Sequence, residues 1–368
     1  MSVPQFFPWQ VEVAQQWLGQ RERFAHAWLV HGLAGIGKRE FVVAAAAALL
    51  CEAPVQGLAC GQCLACGWLE KGNHPDLKRI RPEALALEEG AEQEDDEAHE
   101  GDAAPAPAEG TSSSKRAPSK DIRVEQIRNL TPWFNRSTYR DGYRVVLLYP
   151  AERLTPISGN TLLKVLEEPP PSTIFLLVAD APDRLLPTLL SRCRRLPLAT
   201  PSPASAQAWL AGQHVSNGAD WLASAGGAPV WAKKMAEGQS HPCPEWLSGF
   251  VKMLAKGQVT NNGQLADTLA KELPTMWLDL FQRFLIDLTL SVHGQTPRYF
   301  PVLQPTLAAL IARLAPERVS DLAEWLNQQR WVAGHALNGK LFAHAVLLRI
   351  TSVCQITAAA PVNSSVRR

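Results

Sequence analysis

Gly32-Leu-Ala-Gly35-Ile-Gly37-Lys38-Arg39 follows a short apolar run, Ala27-Trp-Leu-Val-His31, and precedes an alanine-rich segment, Glu40 to Leu50. The apolar run suits a buried strand, and the alanine-rich segment suits a helix. The spacing Gly32-x4-Gly37-Lys38 between them is that of a phosphate-binding loop. Glycines let successive N–H groups curl around a phosphate, the helix N-terminus adds positive potential, and the lysine pairs with the terminal phosphates. Gly32, Gly35, Gly37 and Lys38 are therefore the candidate nucleotide-binding residues.

The position after Lys38 departs from the pattern. A magnesium-dependent nucleotidase carries a Ser or Thr hydroxyl there, and this chain carries Arg39. Hydrolysis also needs a carboxylate at the end of a neighbouring strand to hold the metal. The candidate strand, Arg144-Val-Val-Leu-Leu148, ends in Tyr149-Pro150, and Glu152 lies two residues further on. Two metal-gripping positions are thus lost, which argues against turnover of ATP by this chain and leaves ATP binding open. Further strands are expected at Leu77 to Ile80 and Thr173 to Val178, and helices at Ile157 to Glu168 and Arg184 to Arg192. Strands alternating with helices predict an α/β fold, a parallel sheet covered on both faces.

Four of the seven cysteines fall close together as Cys51-x8-Cys60-x2-Cys63-x2-Cys66. Four thiolates at such spacing can surround one tetrahedral Zn²⁺, and Gly57, Gly61 and Gly67 make the segment a loop rather than core. A four-sulfur site is closed, hence structural. His74 is an alternative ligand, although a turn histidine before Pro75 explains it as well. Cys193, Cys243 and Cys354 are scattered and read as ordinary semi-buried side chains.

Lys plus Arg number 36 against 35 Asp plus Glu, so bulk charge does not drive this chain onto nucleic acid. Its longest apolar stretch, Phe41 to Cys51, is about half of the ~20 residues a spanning helix needs, so no membrane association is expected. Met1-Ser-Val-Pro-Gln lacks the pattern of a signal peptide, and the expected location is the cytoplasm. Glu83 to Glu109 holds eleven acidic residues and no Lys or Arg, and the stretch from about 82 to 120 reads as a disordered acidic insertion. Beyond about residue 198 strand signals stop. Three parts are expected: 1–198, α/β, with a zinc module at about 51–74; 199–242, a small helical lid around Gly226-Gly227; and 243–368, all helical. In the last, Leu322, Trp325, Leu326, Val332 and Ala336 recur at helical spacing. The twelve tryptophans at such spacing suit core or subunit interface better than base stacking.

His26-Ala27, the glycine loop, the four-cysteine insertion, Asn73-His-Pro-Asp76, Leu162-Leu-Lys-Val-Leu-Glu-Glu-Pro-Pro170, Ser191-Arg192-Cys193 and Asn338-Gly-Lys-Leu341 together resemble the delta-prime subunits of bacterial DNA polymerase III clamp loaders. That family belongs to the AAA+ ATPases, beside gamma/tau and replication factor C. The resemblance covers nearly the whole chain apart from the acidic insertion. It implies a helical collar shared with gamma/tau and delta subunits, and loading of the sliding clamp onto primed DNA. It also implies that Arg192 is an arginine finger, reaching into a neighbour's ATP site. ATPase members usually carry a lid arginine after a Gly-Ser pair, and Pro229 stands at that place here. Two rival readings remain on the residues alone: an active clamp-loader ATPase of gamma/tau type, and a zinc-dependent DNA-binding module acting by itself.

Overall fold

The computed structural model describes residues 3–20, 24–90, 117–140, 142–258, 262–312, 314, 316–335 and 338–355. The chain divides into two compact units, Met1–Thr200 and Pro201–Arg368.

In the first unit, five strands form one sheet: β1 (Ala27–His31), β2 (Leu77–Ile80), β3 (Arg144–Leu148), β4 (Thr173–Ala179) and β5 (Arg194–Pro197). Their order is β2-β3-β4-β1-β5, and every adjacent pair is parallel. Every residue of β3 and β4 is buried, because a parallel sheet clothed on both faces has no solvated side. On one face Leu29, Val146, Leu148, Phe175 and Leu177 pack against Ile127, Leu130, Leu162, Leu166 and Leu189 from the helices beyond β2. Each such aliphatic or aromatic side chain contributes roughly 1.5–3 kcal/mol by leaving water. Across the sheet, helix Lys38–Leu50 lies against β1, β3 and β4. Its buried alanines, Ala44 to Ala48, permit close approach.

Three local differences from the sequence expectation have physical reasons. Strand β5 is unexpected, since Arg194-Arg195-Leu-Pro197 is charged and mostly exposed, as suits an edge strand. The helix expected over 184–192 is instead a 3₁₀ turn, Pro182–Arg184, and a single turn, Pro187–Leu190; each begins at a proline, whose missing N–H suits only a helix start. The stretch 82–120, expected to be disordered, contains the helix Glu83–Glu88. That helix is stapled to the returning chain, where Ala84 N donates to Ser119 O (3.0 Å) and Ser119 N to Glu83 Oε2 (2.8 Å). Residues 91–116 of the insertion lie outside the described residues.

The second unit is helical among its described residues. One cluster joins Ala206, Leu210, Trp221, Leu222, Ala232 and Met235 from its first three helices. A larger one runs from Cys243 to Cys354 around the fully buried Trp277, Phe281 and Phe284. Leu322 and Leu326 join it, with Trp325 and Val332 packed at its margin; Ala336 is outside the described residues. Asp287 lies buried inside helix Pro274–Val292, where it accepts from the backbone N–H groups of Arg298, Tyr299 and Phe300. Burial pushes its pKa up, while those three donors pull the other way.

Candidate functional site

Register puts the loop at the carboxyl edge of the sheet. His31 of β1 pairs with Ala179 of β4 and with Pro197 of β5, so Gly32 comes level with Asp180 and Leu198. A Cβ on Gly32 would meet the Leu198 carbonyl oxygen at 2.5 Å. Gly37, with φ of +87°, caps helix Lys38–Leu50, and a Cβ there would meet the Phe7 ring at 2.4 Å. Both glycines are required by close approach as well as by backbone angle. Gln10 Nε2 donates to the carbonyls of Ile36 (3.2 Å) and Gly37 (2.9 Å), so the N-terminal segment braces the loop.

Lys38 is almost wholly buried. Its Nζ donates to Gly32 O (2.8 Å) and Leu33 O (2.7 Å) and pairs with Asp180 Oδ1 at 2.5 Å. An ammonium has three donors, and all three are committed within the chain. Burial, aided by the charges of Arg195 and Lys38, depresses the pKa of His31 beside the loop. Asp180 escaped the sequence reading. The signal was available, because the residue after a buried parallel strand next to β1 must emerge beside the loop.

At the two positions that should hold a metal, the structure has a different chemistry. Arg39 Nη1 pairs with Glu89 Oε1 (2.9 Å), and its Nη2 pairs with Glu40 Oε1 (2.6 Å). The Tyr149 hydroxyl donates to Glu89 Oε2 (2.9 Å), and Arg81 Nη1 pairs with that same oxygen (3.0 Å). Burial first, and then the Glu89 charge, push the Tyr149 phenol up in pKa. Glu152, the remaining acid near β3, accepts from the backbone N–H groups of Asp180 (2.5 Å) and Ala181 (2.7 Å) through Oε1. Its Oε2 is buried without a partner among the described residues.

The four cysteines converge. Cys51 ends helix Lys38–Leu50, and Cys63 caps helix Leu64–Glu70. Between them, Val55 and Leu58 exchange backbone hydrogen bonds of 2.9 Å across Gln56-Gly57, whose φ values of +50° and +81° make a tight reversal. All four sulfurs lie within 4.8 Å of one another, with Cys51–Cys63 and Cys60–Cys66 both at 3.9 Å. Sulfurs about 2.3 Å from one tetrahedral zinc stand about 3.8 Å apart, so the donor set fits that ion. Backbone N–H groups of Gln62 and Cys63 point at Cys60 Sγ and lower its pKa to about 6, whereas burial pushes Cys51 and Cys66 up. His74 is not in the cluster; its Nδ1 accepts from Asp76 N at 3.1 Å. Cys193, Cys243 and Cys354 are buried, and burial raises each thiol to about 12.

Arg192 follows the short helix Pro187–Leu190 and is partly exposed. It donates to Thr188 O (2.9 Å) and ion-pairs with Glu167. In the second unit, Gly226 and Gly227 have φ of +69° and +91°, and Pro229 is the buried first residue of helix Pro229–Gly238, where it offers no charge.

A parallel sheet with a glycine loop and lysine at its carboxyl edge defines a phosphate-loop protein, here with guanidinium and phenol where the metal is normally gripped. A family model described as DNA polymerase III, delta subunit, matches residues 10–202. DNA polymerase III subunit delta-prime of Pseudomonas aeruginosa is 32% identical over 94% of this chain and 98% of its own length. The Escherichia coli subunit of that name is 28% identical over 93% and 94%. By contrast, Escherichia coli subunit tau, at 30% identity, aligns with only 46% of this chain and 21% of its own length. The chain belongs to the delta-prime family of DNA polymerase III subunits. Among the described residues no helix is long and apolar enough to cross a membrane.

Proposed function

We propose that this chain is a non-hydrolysing stator of a clamp loader in the cytoplasm. It assembles with gamma/tau and delta subunits and lends Arg192 in trans to a neighbouring ATP site, while the assembly loads the sliding clamp onto primed DNA. The observation that carries the reading is the pair Arg39 and Tyr149, both bound to Glu89 where a hydroxyl and a carboxylate would grip magnesium. A guanidinium repels the metal, and a phenol with raised pKa stays neutral.

The helices from Pro203 to Gly238 correspond to the lid, and those from Glu245 onward to the collar. Gly32, Gly35, Gly37 and Lys38 form a vestigial loop; Lys38 can reach a nucleotide only by giving up Asp180 and two carbonyls. Cys51, Cys60, Cys63 and Cys66 would hold Zn²⁺, which fastens the 51–66 segment and takes no part in chemistry. A guanidinium in trans suits charge stabilisation because it stays protonated and can fork onto phosphate oxygens.

Steady-state hydrolysis tests the reading against its rival, an active ATPase of gamma/tau type. The isolated chain with Mg-ATP is expected to release no phosphate above background, and to raise ATPase only when mixed with gamma/tau and delta. Turnover by the chain alone, abolished by Lys38→Ala, would decide for the rival.

A further inference from the structure

Residues Arg39, Arg81 and Tyr149 belong to three elements that end at the same edge of the sheet. Arg39 is the second residue of the helix Lys38–Leu50. Ile80 of β2 pairs with Leu148 of β3, so Arg81 and Tyr149 emerge side by side, and Arg81 Nη1 reaches the Tyr149 hydroxyl at 3.1 Å. The carboxyl edge of a parallel sheet is where such folds bind ligands. Here the donors converge on one carboxylate, that of Glu89, which follows the helix Glu83–Glu88 at the root of the acidic insertion.

That carboxylate leaves the donors incompletely used. Both its oxygens are taken, yet Arg81 Nε remains buried with no partner among the described residues. A buried guanidinium N–H without a partner is costly, so Arg81 has a donor to offer beyond the two oxygens of Glu89. A planar carboxylate brings two oxygens, whereas a phosphate group brings more, arranged in three dimensions. Glu40 already neutralises part of the Arg39 charge; apart from Glu89, no other carboxylate pairs with Arg81 among the ion pairs of the described residues.

We propose that Arg39, Arg81 and Tyr149 form a binding site for a phosphate-class anion, and that Glu89 fills it from within the chain as a pseudo-ligand. Where a magnesium-dependent phosphate loop grips its metal, this pocket presents an anion grip of opposite sign. The root of the insertion is the device that keeps it closed. An entering phosphate must displace Glu89, which makes the wild-type site weak and the Glu89-free site strong.

The test is calorimetric titration of the full-length chain with inorganic pyrophosphate, without magnesium and at low salt. Glu89→Ala is expected to bind pyrophosphate about ten-fold tighter than the wild type, as a vacated pair of guanidiniums should. Adding Arg81→Leu is expected to remove that gain, and adding Lys38→Ala to leave it. Glu89→Gln, which keeps the shape and removes the charge, is expected to show a smaller gain, and it stands in if the alanine variant does not fold. No gain in either variant overturns the proposal. So does a gain that survives Arg81→Leu, or one that depends on Lys38, because the anion would then sit on the glycine loop.

Discussion

Arg192 is held by Glu167, a residue of the preceding long helix, Pro156–Glu167: the guanidinium ion-pairs with its carboxylate and donates to the Thr188 carbonyl as well. The finger of the proposed mechanism is thus aimed by its own chain before any neighbour arrives. An exposed pair of this sort adds little stability, so on the proposed mechanism its use is to orient the guanidinium.

Glu167→Ala should leave the melting temperature of the chain nearly unchanged. In a reconstituted assembly it should lower DNA-stimulated ATP hydrolysis by less than about ten-fold, well short of losing the arginine itself. Steady-state phosphate release checks both statements, with thermal melting alongside.

Metal analysis should find about one zinc per chain, as a closed four-sulfur site requires. Cys60→Ser with Cys63→Ser should abolish it. Trypsin should then cut at Lys71, because the 51–66 segment loses its fastening while the parallel sheet beneath it persists. Metal content by mass spectrometry and the pattern of cleavage read this out.

Trp277→Ala should destabilise the second unit by about 3–5 kcal/mol, the usual cost of emptying a large aromatic site. The ring is fully buried between Phe281, centroids 6.1 Å apart, and Phe342, 5.5 Å apart. Urea unfolding measures the loss. Failure to assemble at temperatures where the wild type assembles would accompany it.

The features legible in the sequence were those with short-range causes. A strand, a glycine loop and a helix at fixed spacing announce themselves, and cysteines two residues apart declare a turn that brings sulfurs together. Apolar runs after Arg144 and Thr173 gave away β3 and β4, because a parallel strand covered on both faces buries nearly every side chain. Strand β5 was hidden for the opposite reason: at an edge, Arg194 and Arg195 can face water. Glu89 was hidden more deeply, since it sits in an acidic stretch that composition alone assigns to solvent. Its partners, Arg39 and Tyr149, lie 50 and 60 positions away along the chain. Asp180 was missed because its role comes from strand register and not from a local pattern.

Lys38→Ala should alter ATP hydrolysis by the reconstituted assembly by no more than about two-fold, since on the proposed reading the pocket that contains it turns over no fuel. Its three donors are spent on Gly32, Leu33 and Asp180 in the resting chain, so the change should appear in the stability of the first unit.

The most direct measurement replaces Arg192 by alanine and follows clamp- and DNA-stimulated ATP hydrolysis after reconstitution with gamma/tau and delta subunits. The account predicts intact assembly by native mass spectrometry and loss of at least about a hundred-fold in rate at the site Arg192 serves, with no rescue by Arg192→Lys, which lacks the planar fork. An unchanged rate in an assembled complex would contradict it.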